Sequence, residues 1–336
     1  VKTMPSFSRV LQVSNLHVEY ATASGQTVRA VDGVSFSIDR AETLALVGES
    51  GCGKSSVARA VMRLERPAAG TIHLEGEDIA TASERSLKPK RRRFQMIFQD
   101  PVASLNPRRR VRDILAAPLR VNGLYDADAP ARIAAALEQV GLDPAYALDR
   151  YPREFSGGQC QRISIARALI LDPGMLVCDE PTSALDVSVR AQVLNVLNTL
   201  RASLGLTMLF ISHDLAVVRN VADRVAVMYL GKFCETGPAG VLLNAPAHPY
   251  TAALLSAIPQ VTPDGSARRI HLQGEMPSPM QHQSGCQFRS RCPVARPRCA
   301  EVAPQLQPIE PGHEVACHFP YAIDANPSRI KEETQA

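Results

Sequence analysis

The sequence predicts an α/β fold built on a parallel sheet, and three observations carry that expectation. Short continuous apolar runs alternate with helical patterns as far as Gly237; strands covered on both faces read as such runs. A glycine-rich segment, Gly48 to Ser55, follows one of these runs directly. Beyond Gly237 the alternation stops and prolines punctuate the chain, from Pro238, Pro246 and Pro249 to Pro277 and Pro279. A length of 336 residues suits two units better than one, so the chain is expected to divide into 1–240 and a small, irregular, cysteine-rich extension, 241–336.

Composition narrows the class. With 45% hydrophobic and 21% charged residues, wholesale disorder is excluded. No stretch approaches the ~18 apolar residues of a membrane span, and VKTMPSFSRV lacks the apolar core of a secretory leader. A cytosolic chain, or one resting on the cytosolic side of a membrane, is expected. Lys and Arg total 37 against 33 Asp and Glu, a bias too mild to call for nucleic acid.

Taken in order, residues 10–18 and 34–38 alternate, which suits a small antiparallel sheet beside the parallel one. Thr43–Val47, 94–98, 175–178 and 207–211 read as central strands. A helix is expected from 160 to 171. Another carries Val189, Val193, Val196, Leu197, Leu200 and Leu204 on one face and ends at Gly205. Residues 225–235 read as a strand pair turning at Leu230-Gly231-Lys232. A short helix is expected near 251–257, and the last dozen residues as a frayed tail.

Gly48-Glu49-Ser50-Gly51-Cys52-Gly53-Lys54-Ser55 fits the phosphate-binding pattern G-x-x-x-x-G-K-[ST]. The glycines let backbone N–H groups curl around the phosphates of ATP or GTP at a helix N-terminus, Lys54 supplies a cation, and the Ser55 hydroxyl suits Mg²⁺. Ser56 continues the site. Cys52, beside Lys54 and a helix start, is expected to be more acidic than a free thiol and open to alkylation. About 125 residues on, Asp179-Glu180 closes a buried strand. An Asp there can hold Mg²⁺ and the adjacent Glu can polarise the attacking water.

Phe155-Ser156-Gly157-Gly158-Gln159 resembles the signature sequence of ATP-binding-cassette (ABC) ATPases. Gln99 at a strand end, Ser183-Ala184-Leu185-Asp186 and His213 stand in that family's order too. The resemblance implies a RecA-like parallel core, an antiparallel β subdomain and a helical subdomain at about 100–170. It implies that Gln99 senses Mg²⁺ and the lytic water, Asp179 orients the metal, Glu180 is general base, His213 contacts the γ-phosphate and Tyr20 stacks on adenine. Ser156, Gly157, Gly158 and Gln159, with Asp186, would close over the nucleotide of a second ATPase subunit. Phe98-Gln99-Asp100-Pro101, Ser104-Leu105-Asn106-Pro107, the run from Ala184 to Gln192, and His248-Pro249-Tyr250-Thr251 are similar to the ATPase subunits of dipeptide, oligopeptide and nickel importers. Cys52 and Gly274-Glu275-Met276-Pro277-Ser278-Pro279 narrow this to the second ATPase subunit of dipeptide importers. That implies a peripheral protein on the cytoplasmic face of the inner membrane, with two permease subunits and an extracytoplasmic peptide-binding protein as partners. Dipeptides are the leading cargo, with oligopeptides, nickel chelates and glutathione behind.

Cys286, Cys292, Cys299 and Cys317 are separated by five, six and seventeen residues. Zinc sites usually pair ligands two to four apart, whereas four thiolates suit an iron–sulfur cluster. The interleaved Arg289, Arg291, Arg296 and Arg298 are expected to lower the thiol pKa values. The resemblance implies a [4Fe–4S] cluster; zinc and uncoordinated thiols stay open. The basic runs at 88–93 and 108–110 read as a solvated face, or as contacts with lipid head groups or a partner. A soluble ABC ATPase on DNA or ribosomes is disfavoured, since only about 100 residues separate Lys54 from Ser156 and the chain holds one cassette. A redox regulator that merely binds nucleotide is disfavoured by Glu180 and His213.

Overall fold

The computed structural model of the chain describes residues 9–22, 25–258, 270–278 and 284–321; the tail expected to fray, and Pro279, lie outside them. Alternating apolar residues fold the N-terminal part into an antiparallel sheet. Strands β1 (Arg9–Ala21), β2 (Thr27–Asp39), β4 (Ala69–Leu74) and β5 (Glu77–Asp78) lie in the order β2-β1-β4-β5. Leu11 and Val13, then Leu16 and Val18, of β1 turn inward at a period of two, with a register shift between Val13 and Leu16.

The second sheet comprises β3 (Thr43–Val47), β6 (Phe94–Ile97), β7 (Met175–Asp179), β8 (Thr207–Ser212), β9 (Arg224–Tyr229), β10 (Lys232–Pro238), β11 (Gln307–Glu310) and β12 (His313–Val315). Their order is β11-β12-β10-β9-β3-β8-β7-β6. The neighbours from β9 to β6 run parallel, with Val47 level with Ser212, Asp179 with Ile211 and Ile97 with Cys178. Their carboxyl ends therefore finish together, where open α/β sheets place ligands. Every residue of β3, β7 and β8 is buried, which is why these strands show no alternation.

Helix α1 (Lys54–Val61) leaves the loop after β3. Helices α2 (Val111–Val121), α3 (Ala129–Gln139) and α4 (Gly157–Leu169) pack into one core around Leu115, Leu119, Leu137 and Ile163. The last of these starts before the expected residue 160 because Ser156 caps it. Ser156 Oγ accepts from Gln159 N–H at 3.3 Å, and Gln159 Oε1 accepts from Ser156 N–H at 3.0 Å. Helix α5 (Val187–Leu204) ends at Gly205, whose φ of 61° sits in the left-handed region.

Past residue 240 the chain builds on the same sheet. β10 pairs with β12, which pairs with β11, and α6 (Pro249–Ser256) packs its fully buried Tyr250 against Tyr229 and Phe288. At the junction lies a buried charge. Glu235 accepts from the amides of Ala247 (2.8 Å) and His248 (2.9 Å), and its Oε1 lies 2.8 Å from His313 Nε2.

Candidate active site

The loop from Gly48 to Gly53 must fold tightly between β3 and α1, and its backbone shows why glycine recurs. Gly53 has a φ of 110°, and a Cβ there would stand 2.2 Å from the carbonyl oxygen of Ala30; an alanine would have to displace backbone. Lys54 is 4% exposed. Its ammonium donates to the carbonyls of Gly48 and Glu49, both at 2.8 Å, so the loop wraps around its own cation.

Facing the loop, Ser55 Oγ donates to Asp179 Oδ1 at 2.9 Å. Burial pushes the Asp179 carboxyl up, the Ser55 hydrogen bond opposes this, and the neighbouring Glu180 charge adds to the rise. A carboxylate so placed gains from a cation. Glu180 follows in a left-handed conformation, φ 46°, a strained backbone for a non-glycine residue. Its Oε2 accepts from Gln99 Nε2 at 3.3 Å and lies 3.1 Å from His213 Nδ1. Gln99, Glu180 and His213 come from the ends of three parallel strands, so register alone gathers them.

These groups line one cleft of about 770 Å³: Gly48, Ser50, Gly51, Gly53, Lys54, Ser55, Ser56, Gln99, Glu180 and His213 all face it. Tyr20 is tied to its margin by a hydrogen bond to Ser56 Oγ at 3.3 Å. Asp179 reaches it through Ser55. Ser156, Gly157, Gly158, Gln159 and Asp186 do not line it. Ser156 and Gly157 are exposed at the start of α4, and Asp186 at the start of α5. Gly158 lies under Val189, where a Cβ would come 2.2 Å from Cγ1. The start of the signature helix thus lies outside the lining of the cleft.

Two expectations about thiols are corrected. Cys52 is 1% exposed, in the core beneath the loop. Burial pushes its pKa up, outweighing the pull of Lys54, so it is neither acidic nor accessible. In the extension, burial likewise raises Cys286, and takes Cys292 and Cys317 up to about 11 despite the arginines. Cys286, Cys292, Cys299 and Cys317 line one small pocket with Arg289, His248 and His318. Among the described residues no three His, Cys, Asp or Glu side chains are placed to hold a single metal ion.

The sequence did not disclose the contacts that residues past 240 make with the cleft. Leu254 of α6 lines it, Tyr250 Oη accepts from Glu49 N–H at 2.8 Å, and Arg291 forms a two-pronged ion pair with Glu49 at 2.8 and 3.2 Å. Tyr250 lies in His248-Pro249-Tyr250-Thr251 and Arg291 among the interleaved arginines, but no local pattern names a partner so distant in sequence.

A phosphate loop facing an acidic strand end, with a glutamine and a histidine on the flanking strands, defines a nucleoside-triphosphatase of the phosphate-loop class. The ABC transporter profile matches residues 31–183, and that of the oligopeptide/dipeptide transporter C-terminal region matches 234–299. The oligopeptide transport ATP-binding protein AppF of Bacillus subtilis is 51% identical over 296 residues, covering 87% of this chain and 90% of its own length. The di/tripeptide transport ATP-binding protein DppF of Pseudomonas aeruginosa is 49% identical over 292 residues, with the same coverage. Among solved structures, the dimeric ATP-binding cassette MJ0796, in a post-hydrolysis state bound to ADP and Pi, matches with a TM-score of 0.62 at 25% identity, over 68% of this chain and 98% of that one. The chain belongs to the oligopeptide/dipeptide family of ABC transporter ATP-binding proteins, as an ATP-hydrolysing transporter subunit. Among the described residues no helix is long and apolar enough to cross a membrane.

Proposed function

We propose that this ATPase energises the import of dipeptides or short peptides, working at the cytoplasmic face of the inner membrane. Its partners are a second ATPase subunit, two permease subunits and an extracytoplasmic peptide-binding protein. The observation that carries the mechanism is the chain of contacts from Ser55 through Asp179 and Glu180 to His213 and Gln99 around the phosphate loop. ATP binds with its phosphates on the loop amides and Lys54, and its adenine against Tyr20. Ser55, Gln99 and Asp179 would hold Mg²⁺, which when bound would offset phosphate charge. Glu180 holds the lytic water and takes its proton, and His213 steadies the γ-phosphate. The helix start at Ser156–Gln159, exposed at Ser156 and Gly157, completes the partner's site with Asp186, because amides and a helix dipole directed outward attract an anion. Residues 1–240 are the engine and 241–336 the extension. Oligopeptides, nickel chelates and glutathione are the alternative cargoes.

The test uses the complex reconstituted in proteoliposomes with the binding protein encoded beside it. Dipeptide should stimulate ATP hydrolysis and accumulate inside. Gly157→Gln in this chain should cut turnover by about 10²-fold while leaving ATP affinity intact. Full turnover in that variant would refute the shared site.

The finer reading of the extension is a [4Fe–4S] cluster held by Cys286, Cys292, Cys299 and Cys317, with zinc as the alternative. Its support is the convergence of the four thiols on one pocket. When bound, a cluster supplies a one-electron centre and a cross-link among loops. Absorption of anaerobically purified protein, against Cys292→Ser, decides between iron–sulfur and zinc.

A further inference from the structure

The hydrogen bonds from the extension to the phosphate loop converge on Glu49 and hold it at several points. The Glu49 N–H donates to Tyr250 Oη at 2.8 Å, and its carboxylate takes both prongs of Arg291. Lys54, from the engine, holds its carbonyl at 2.8 Å. The Arg291 side chain is only 9% exposed and that of Glu49 27%, so this pair is screened far less than a surface one. Met276 approaches the same loop: a Cβ on Gly51 would lie 3.6 Å from its Cε. Glu49 also lines the cleft. An unpaired carboxylate there would face the phosphates of an incoming nucleotide, and like charges repel strongly where solvent is partly excluded.

We infer that Arg291 of the extension is a positioning residue for nucleotide binding. It cancels the charge of Glu49 and, with Tyr250, fixes the phosphate loop in the shape that accepts ATP. This rests on the nucleotide site proposed above. Its consequence is that the extension sets the engine's ATP affinity from behind the loop, through two contacts spanning 201 and 242 residues of sequence. Arg291 directly precedes Cys292, so whatever orders the cysteine pocket also orders this guanidinium.

The experiment measures mant-ATP affinity and ATPase kinetics of the full chain. Arg291→Ala should weaken mant-ATP binding about five-fold or more, raising KM with kcat nearly unchanged. Adding Glu49→Gln to that variant should restore most of the affinity, because the uncompensated charge is gone. Loss of packing alone would not be rescued this way. Arg224→Ala removes a single-pronged, more exposed ion pair with Glu42, ahead of β3 and away from the phosphate loop, and serves as the control. It should lower the thermal midpoint without changing affinity. Wild-type affinity in Arg291→Ala, or a loss that Glu49→Gln fails to relieve, would overturn the inference. Lys54→Ala separates the two levels: unchanged mant-ATP binding there would instead remove the nucleotide site itself.

Discussion

The strand-end cleft and the buried cluster around Glu235 treat charge in opposite ways. In the cleft, Lys54, Asp179 and Glu180 are held by groups that a ligand can replace or supplement: loop carbonyls, a serine hydroxyl, an exposed histidine. At the junction, Glu235 is 0% exposed, and its two oxygens are taken by two amides and His313, itself 1% exposed. The first arrangement is open, its electrostatics incomplete until something binds. The second is closed and serves to fix two segments together. Burial of a carboxylate is therefore no sign of chemistry by itself; what matters is whether its partners can be exchanged.

This contrast is open to direct attack. Glu180→Gln should slow phosphate release by about 10²–10⁴-fold and leave the unfolding midpoint nearly unmoved, so that ATP stays bound. Retained turnover would deny Glu180 its role. Glu235→Ala should do the reverse. Stranding His313 and two amides should cost about 3–5 kcal/mol of stability in urea unfolding, whereas a loss within error would mean the junction is not a lock.

The pH dependence should separate the regions further. Burial drives the His248 imidazole down to about 4, while the unfolded chain protonates it near pH 6.5. Its contribution is complete above that pH and is lost as pH falls toward 4, about 3 kcal/mol in all. His248 Nδ1 accepts the Tyr250 amide at 3.0 Å at the start of α6, so His248→Asn keeps a cap and should flatten the urea midpoint between about pH 7.5 and about pH 5. An unchanged slope would assign the acid sensitivity to another group. The smallest effect concerns Cys52. Its enclosure means that peptide mapping after brief maleimide treatment should find it labelled far more slowly than Cys286, and Cys52→Ser should cost about 1–3 kcal/mol by burying a hydroxyl. Rapid labelling would place the thiol in the cleft after all.

What the sequence disclosed divides along the same line. The parallel strands, the phosphate loop and the acids at Asp179 and Glu180 were legible because each depends on residues adjacent in the chain: a continuous apolar run, a glycine spacing, a strand terminus. Strand register then brought His213 and Gln99 to the same end without further information. The Ser156 cap was missed, although a capping box is a local pattern, and the helix was expected to start at residue 160 instead of Gly157. The partners of Glu235 and Glu49 were not, because a buried ion pair is specified by where two distant segments meet. Nor was the enclosure of Cys52, because sequence neighbours such as Lys54 say nothing about which side of a loop a thiol occupies.

The hairpin of β11 and β12 carries one more consequence. Without it, the outer side of β10 would present unpaired N–H and C=O groups to solvent, a template onto which foreign strands can add. With it, the outermost strand is four residues long, and Pro308 removes one donor. A fragment stopped near residue 240 would retain every strand that bears the cleft and would still be prone to self-association. The hairpin thus ends the sheet on a short, proline-bearing strand, in place of the open edge that β10 would otherwise present.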